Sequence, residues 1–141
     1  MQEFVGYQTV AEIAEVVRKF EGCEYSTSEF SHARHLTVAA WYLTQYPPAE
    51  ALDNMRSSLL RFTEHHRVTA YHETITRFWL ATTRMFLESH ASDSLPAHIN
   101  ELVRVHGDKN LLFQHYSREH VMSDLAKAQW VEPDLAPLPR N

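Results

Sequence analysis

The sequence predicts an all-α fold, in which four main helices form an antiparallel bundle with a cap of short helices and an extended, proline-containing C-terminal tail. Apolar residues recur every three or four positions along four long stretches, which is the spacing of one buried helix face. The chain has only 3 glycines, and its 6 prolines lie outside those stretches, as expected of a helical protein with few tight turns. A length of 141 residues is typical of one domain, so we expect residues 1–141 to fold as one unit.

The first helix is predicted over residues 9–20. Thr9 and Glu12 have the spacing of a capping box, in which each side chain accepts a backbone N–H of the other residue. Gly22 follows the last apolar position and is a typical C-terminal stop.

A second capping-box spacing, Ser26 to Glu29, predicts another helix over about residues 28–46. Histidine is an unusual residue near the centre of an apolar stripe, and this stripe contains one. The inward line comprises His32, Leu36, Ala39 and Leu43, with His35, Tyr42 and Tyr46 on one flank.

Pro47 and Pro48 end the second helix and begin a third, predicted over about residues 48–66. Only three residues, 67–69, then precede the fourth helical pattern, which opens near Tyr71. Because short links join antiparallel neighbours, the second, third and fourth helices are expected to run up and down.

The fourth helix is expected to place His72 at the edge of its buried stripe and Glu73 on its solvated face. That face also carries Arg77, Arg84 and Glu88. Two pairs of opposite charge lie four residues apart on it, Glu73 with Arg77 and Arg84 with Glu88. His72 is therefore a better candidate for chemistry than Glu73. This ranking reverses if the helix begins at Glu73 and His72 belongs to the preceding loop.

The remaining chain is predicted to form short helices and a tail. A fifth helix over residues 96–106 is closed by Gly107, and Asp108 and Ser123 are expected N-caps of shorter pieces. Residues 131–139 are proline-spaced, and the tail formed by residues 131–141 should extend over the surface. The expected anchors of this tail are Leu135 and Leu138.

Four of the 10 histidines are predicted to meet at one end of the bundle. His32 and His35 begin the second helix, His66 ends the third, and His72 begins the fourth. In an up-and-down bundle these positions share one end.

A metal site is one interpretation of this cluster, since neutral imidazoles bind Zn, Fe, Mn and Ni. The ligands would be His32, His35, His72 and His66. Glu29 and His32 also give one Glu-x-x-His pair, but the second pair and the further glutamates of a ferritin-like dinuclear site are missing. A mononuclear site of two or three histidines is therefore the form of metal site that the sequence allows.

A metal-free pocket is the second interpretation. In it His72 and His32 would act as acid or base, and Tyr71 would act with Tyr42 and Thr76 as a hydrogen-bond donor. The third interpretation is structural, in which the same histidines bond to tyrosines, threonines and backbone groups of the core.

Composition narrows the class of protein. A formal charge of −5 argues against a nucleic-acid partner, which requires a positive surface. The single cysteine, Cys23, fits a reducing compartment, and neither a secretory signal nor a membrane-length apolar run is visible. These features predict a cytoplasmic protein. The Gly-rich phosphate loop and the Gly-x-Ser-x-Gly motif are absent from the sequence.

Three segments form a pattern within a match that covers most of the chain. They are His32-x-x-His-Leu36, Tyr71-His-Glu-Thr-x-Thr76 and Trp130-Val-Glu-Pro-Asp-Leu135. This pattern resembles that of a group of small uncharacterised bacterial proteins that are all-helical. The resemblance implies a bacterial source and draws attention to His32, His35, Tyr71, His72 and Thr74. It implies no particular reaction, and His66 lies outside the shared segments.

The leading functional hypothesis is a small protein that binds a metal ion or a small molecule in a histidine-rich pocket, and that has an unspecified reaction if it is an enzyme. The rival hypothesis is a non-catalytic interaction module, such as a homodimerisation domain, whose histidines are structural. Its contact surface would be Trp41 and Val38 on the outer face of the second helix.

Overall fold

A computed structural model of the protein describes residues 6–138, and all of the regular secondary structure in that range is helical. The predicted all-α class is therefore confirmed. The helices are α1 (Val10–Glu21), α2 (His32–Gln45), α3 (Pro48–His65), α4 (Glu73–Ser89), α5 (Leu95–His106), α6 (Leu112–His115), α7 (Arg118–Val121) and α8 (Asp124–Ala128), with a 3₁₀ turn at Lys109–Leu111.

The start of α1 follows the predicted capping box. Thr9 Oγ1 accepts the Glu12 N–H at 3.2 Å, and the Glu12 carboxylate accepts the Thr9 N–H at 2.9 Å. Gly22 closes the helix, as its position in the sequence indicates.

The start of α2 lies four residues later than predicted. Ser26 and Glu29 do form both capping hydrogen bonds, at 3.1 and 2.8 Å, but these bonds close an isolated turn. Phe30 then stacks on the ring of Phe20 in α1, with centroids 4.3 Å apart, and this contact holds the segment against α1. The helix begins only after Ser31, whose hydroxyl accepts the Arg34 N–H.

Helix α2 lies at the centre of the fold and packs against α1, α3, α4 and α5. Its residues Leu36 and Ala40 belong to one apolar cluster, with α4 and α5, whereas Val38 and Tyr42 belong to a second, with α1 and α3. A helix with neighbours on several sides has no outer face at its middle.

The proposed contact surface of an interaction module was therefore wrong. Val38 is 0% exposed, and Trp41 is partly buried against both apolar clusters. Neither side chain is presented to a partner as the one-sided helix pattern predicted.

The C-terminal segment packs on the start of α4 and on the short helices. Thr74 Oγ1 donates to the Gln129 carbonyl at 2.8 Å and accepts the Val131 N–H at 3.1 Å. Leu135, a predicted anchor, is 57% exposed, while Trp130 and Leu138 pack against the core. The predicted tail residues 139–141 lie outside the described part of the chain.

No helix within residues 6–138 combines the length and the apolar character that crossing a membrane would require.

Candidate functional site

A cavity of about 370 Å³ lies where α2 and α4 begin and α3 ends. Its walls are largely apolar and aromatic, including Phe30, Phe62 and Trp79. Of the seven residues proposed from the sequence for the metal site or the pocket, five line this cavity, namely His32, His35, Tyr71, His72 and Thr76. His66 does not line it, and Tyr42 bonds instead to Glu21 and Ser58.

His32 has one ring nitrogen bound and one available. Its Nε2 lies 3.1 Å from the His106 carbonyl oxygen. Since a carbonyl only accepts, Nε2 carries the proton and the lone pair of the neutral ring lies on Nδ1. Burial lowers the pKa of His32 below 6.5, and the bond to His106 opposes this shift only in part. The ring packs edge-on against Trp79 with centroids 4.4 Å apart, so His32 is a fixed, neutral hydrogen-bond acceptor.

His35 lies one helical turn further along α2, with its ring centroid 6.4 Å from that of His32. Its Nε2 is shut off from solvent and has no hydrogen-bond partner within residues 6–138. Burial, with a smaller contribution from His32, lowers the pKa of His35 to about 4, so the ring is neutral at neutral pH. An imidazole nitrogen left unpaired in this way costs about 1–3 kcal/mol of folding free energy.

His72 is the N-cap of α4 and has no nitrogen left for chemistry. Its Nδ1 accepts the Ile75 N–H at 3.1 Å, and its Nε2 donates to the Val121 carbonyl at 2.7 Å. Burial lowers the pKa of His72, which keeps the ring neutral and preserves this pair of bonds. The ring lines the cavity, but its polar atoms hold α4 to α7.

Glu73 is buried, at 8% exposure, and the prediction of a solvated Glu73 was wrong. Because α4 begins at Glu73, this side chain turns toward α3, where Arg56 donates to both carboxylate oxygens at 3.0 and 2.5 Å. Those bonds are the main reason that the pKa of Glu73 is lowered. Of the predicted charge pairs on this helix, Arg84–Glu88 forms at 2.9 Å.

Tyr71 is tied to the same network. Its hydroxyl donates to Glu73 Oε1 at 2.6 Å, and burial together with this bond raises the pKa of Tyr71 to about 12. The Tyr71 proton is therefore held by Glu73 and is a poor proton source for a bound molecule.

His66 and Glu29 lie away from the cavity wall. The His66 Nε2 bonds to the Tyr25 carbonyl at 2.8 Å, and the ring packs on Phe62. Glu29 is exposed and bound to Ser26, so it does not join His32 in a Glu-x-x-His ligand pair. Within residues 6–138 no group of three or more His, Cys, Asp and Glu side chains is placed to hold a metal ion.

Lys109 also lines the cavity, although no pattern in the sequence predicts this position. It begins the 3₁₀ turn after α5, more than thirty positions beyond the other polar residues of the wall. Local periodicity carries no information on such a contact, although the His32–His106 hydrogen bond brings the same segment to α2.

Comparison of the chain with protein-family models, with curated proteins and with solved structures finds no match.

Proposed function

We propose that the protein binds a small, largely apolar molecule in this cavity and recognises it through His35 and His32. The observation that carries the proposal is the unpaired imidazole of His35 in the cavity wall. Buried polar groups in folded proteins nearly always have partners, so an unpaired nitrogen in a cavity wall requires an explanation. Because Nε2 itself has no exposed surface, a ligand would reach it through a turn of the His35 ring toward the cavity, and the bond would then supply the missing partner.

The size and lining of the cavity support a small molecule as the ligand. Its volume lies within the range of sites for such molecules, about 300–1,000 Å³, in which apolar walls surround a few polar groups. Trp79 and Phe30 offer aromatic surfaces, and His32 Nδ1 offers a lone pair. The proposal requires no metal, since the ligand itself would meet both histidines.

His32 is the residue best suited to any chemistry at this site. It is the neutral histidine whose protonated nitrogen is fixed by a carbonyl, and such a ring can accept a proton through Nδ1. His72 and Tyr71 serve instead to position the wall, because their polar hydrogens are committed to Val121 and Glu73. Removal of His32 should therefore affect any turnover more than removal of Tyr71.

A ligand-observed NMR screen with neutral and charged aromatic fragments tests the proposal on three proteins. The wild type should bind fragments from the panel, and His35→Leu should lose them. His98→Leu is a matched control, because His98 Nε2 is also buried and unpaired but lies against Phe86, away from the cavity. Fragment binding that survives in His35→Leu, or fails equally in both variants, contradicts the proposed site.

The finer architecture is also part of this proposal. The short connections between α2, α3 and α4 support an antiparallel arrangement of four main helices within one domain, with the tail laid along its surface. The cytoplasmic location, a homodimer and kinship with the bacterial group described above stay predictions. Size-exclusion chromatography with light scattering tests the homodimer.

A further inference from the structure

We infer that the ligand of this cavity is an aromatic carboxylate: a flat apolar body that carries one negative charge. The inference rests on the proposed function, because it names the chemistry of the molecule that the same cavity would take. Three features of the wall carry it.

The first feature is the charge of the wall. Lys109 is the only Lys, Arg, Asp or Glu among the described residues that line the cavity, and it forms no ion pair within residues 6–138. Asp108 also acts on His32 electrostatically, but it does not line the cavity, and its carboxylate accepts the Asn110 N–H at 2.9 Å. An unpaired ammonium beside apolar walls favours an anion.

The second feature is the start of α2, a helix of 14 residues. Ser31 and His32 line the cavity, and the N–H groups of His32 and Ala33 have no partner within residues 6–138. The first turn of α2 contains no acidic residue. Unpaired amides and the positive end of the helix dipole stabilise a carboxylate. The unpaired His35 nitrogen in the same wall is the independent sign that a ligand belongs here, and with its proton on Nε2 it would donate to the carboxylate. The lone pair of His32 Nδ1 would accept from a donor elsewhere on the ligand.

The third feature is the shape of the apolar surface. The rings of Trp79, Phe30 and Phe62 all line the cavity, and the edge-on packing of His32 against Trp79 holds these two rings at a fixed angle. Fixed aromatic walls pack against a flat ring system at little cost in side-chain entropy.

Isothermal titration of the full chain with three probes of one shape tests the inference. The probes are 2-naphthoate, 2-naphthamide and 2-naphthylmethylammonium, which carry a negative, a neutral and a positive group. We expect the wild type to bind naphthoate about tenfold more tightly than the amide, a difference that one charge interaction near a protein surface can provide. The ammonium probe should bind most weakly.

Lys109→Met should reduce the preference for naphthoate to about twofold while leaving the affinity for the amide unchanged. Lys127→Met is the matched control, because Lys127 lies outside the cavity wall and its Nζ bonds to the Thr69 carbonyl. This control should retain the full preference.

Equal or tighter binding of the amide or the ammonium overturns the inference, and so does a preference that Lys109→Met leaves intact. If none of the three probes binds, the fragment screen separates the two conclusions. Binding of other fragments that depends on His35 would keep the proposed function and reject the carboxylate, whereas a silent screen would reject both.

Discussion

Replacing His35 by leucine should make the protein more stable, although the substitution is in the middle of the proposed site. The imidazole Nε2 is buried without a partner within residues 6–138, and leaving such a group unpaired costs about 1–3 kcal/mol. Leucine has no polar atom to satisfy and is compatible with α2. The free energy of unfolding should therefore rise by about 1–3 kcal/mol at pH 7.5, which raises Tm by roughly 3–10 °C in a chain of this size.

The pH dependence of this gain has a definite sign. The pKa of His35 is about 4 in the folded protein, against an ordinary value of 6.5. Between these values the unfolded chain binds more protons than the folded one, so the folded state loses stability as the pH falls from 6.5 to about 4. His35→Leu lacks this loss, and its advantage over the wild type should grow across that interval.

Urea unfolding of both proteins, followed by circular dichroism at pH 7.5, 6 and 5, measures the effect. His98→Leu should give a gain of similar size at pH 7.5, because His98 Nε2 is also unpaired. If His35→Leu is less stable than the wild type by 1 kcal/mol or more, the imidazole has a partner in the free protein. The predicted gain in stability from removing an unpaired imidazole would then be refuted.

Three further predictions concern the groups around the cavity. Arg56→Leu should lower the free energy of unfolding by about 2–4 kcal/mol, because it leaves the Glu73 carboxylate buried and unpaired. The pKa of Glu73 in the folded wild type lies below its ordinary value of 4.5. The difference in unfolding free energy between the two proteins, measured by urea titration, should therefore be greatest above pH 4.5 and shrink below it. His72→Ala should cost about 1–2 kcal/mol by removing the cap of α4 and the bond to Val121, while His72→Asn, which can still cap, should recover about half in the same measurement. Treatment with EDTA should leave Tm unchanged in differential scanning calorimetry, and a fall of several degrees would revive the metal hypothesis.

The all-α class and most helix ends could be predicted because they depend on neighbouring residues. The Thr9–Glu12 capping box, the proline start of α3 at Pro48 and the Ser123 cap of α8 all form as the local sequence indicates. The Ser26–Glu29 pair shows the limit of the same rule, because its hydrogen bonds form but close only a turn. Whether a capped turn continues as a helix depends on what packs against the next residues.

The burial of α2 could not be predicted from periodicity. A periodic pattern identifies one buried stripe, and this suits a helix with one neighbour. Helix α2 instead contacts four other helices, so Val38 and Leu36 are both buried on different sides. Small residues such as Ala39 and Ala40 in its middle are the available signal, since they permit close approach from several directions.

The roles of His72 and Glu73 depended on where α4 begins. A start at Tyr71 places Glu73 on the solvated face, whereas the observed start at Glu73 makes His72 the cap and turns the carboxylate toward Arg56. Helix ends are defined only to within one or two residues, so the sequence pattern does not separate these two starts. The ion pair to Arg56 in α3 is a long-range contact that no local pattern encodes.

The abundance of histidine is largely explained by one structural use. Ring nitrogens bond to backbone carbonyl oxygens between separate parts of the chain in at least five cases, namely His32–His106, His66–Tyr25, His72–Val121, His115–Ala136 and His120–Glu132. A neutral imidazole suits this purpose, because its N–H meets a carbonyl that would otherwise lack a donor. The number of histidines is therefore weak evidence for a site.

What distinguishes His35 is an unmet hydrogen bond combined with its place in a cavity wall. His98 shares the unmet bond but not the cavity, and His72 shares the cavity but has both nitrogens bound. A ligand that bonds to His35 would turn this free-energy cost into binding energy, because the folded chain offers the ring nitrogen no partner within residues 6–138. The comparison of His35→Leu with His98→Leu therefore separates function from stability: both substitutions should stabilise the fold, and only the first should abolish binding.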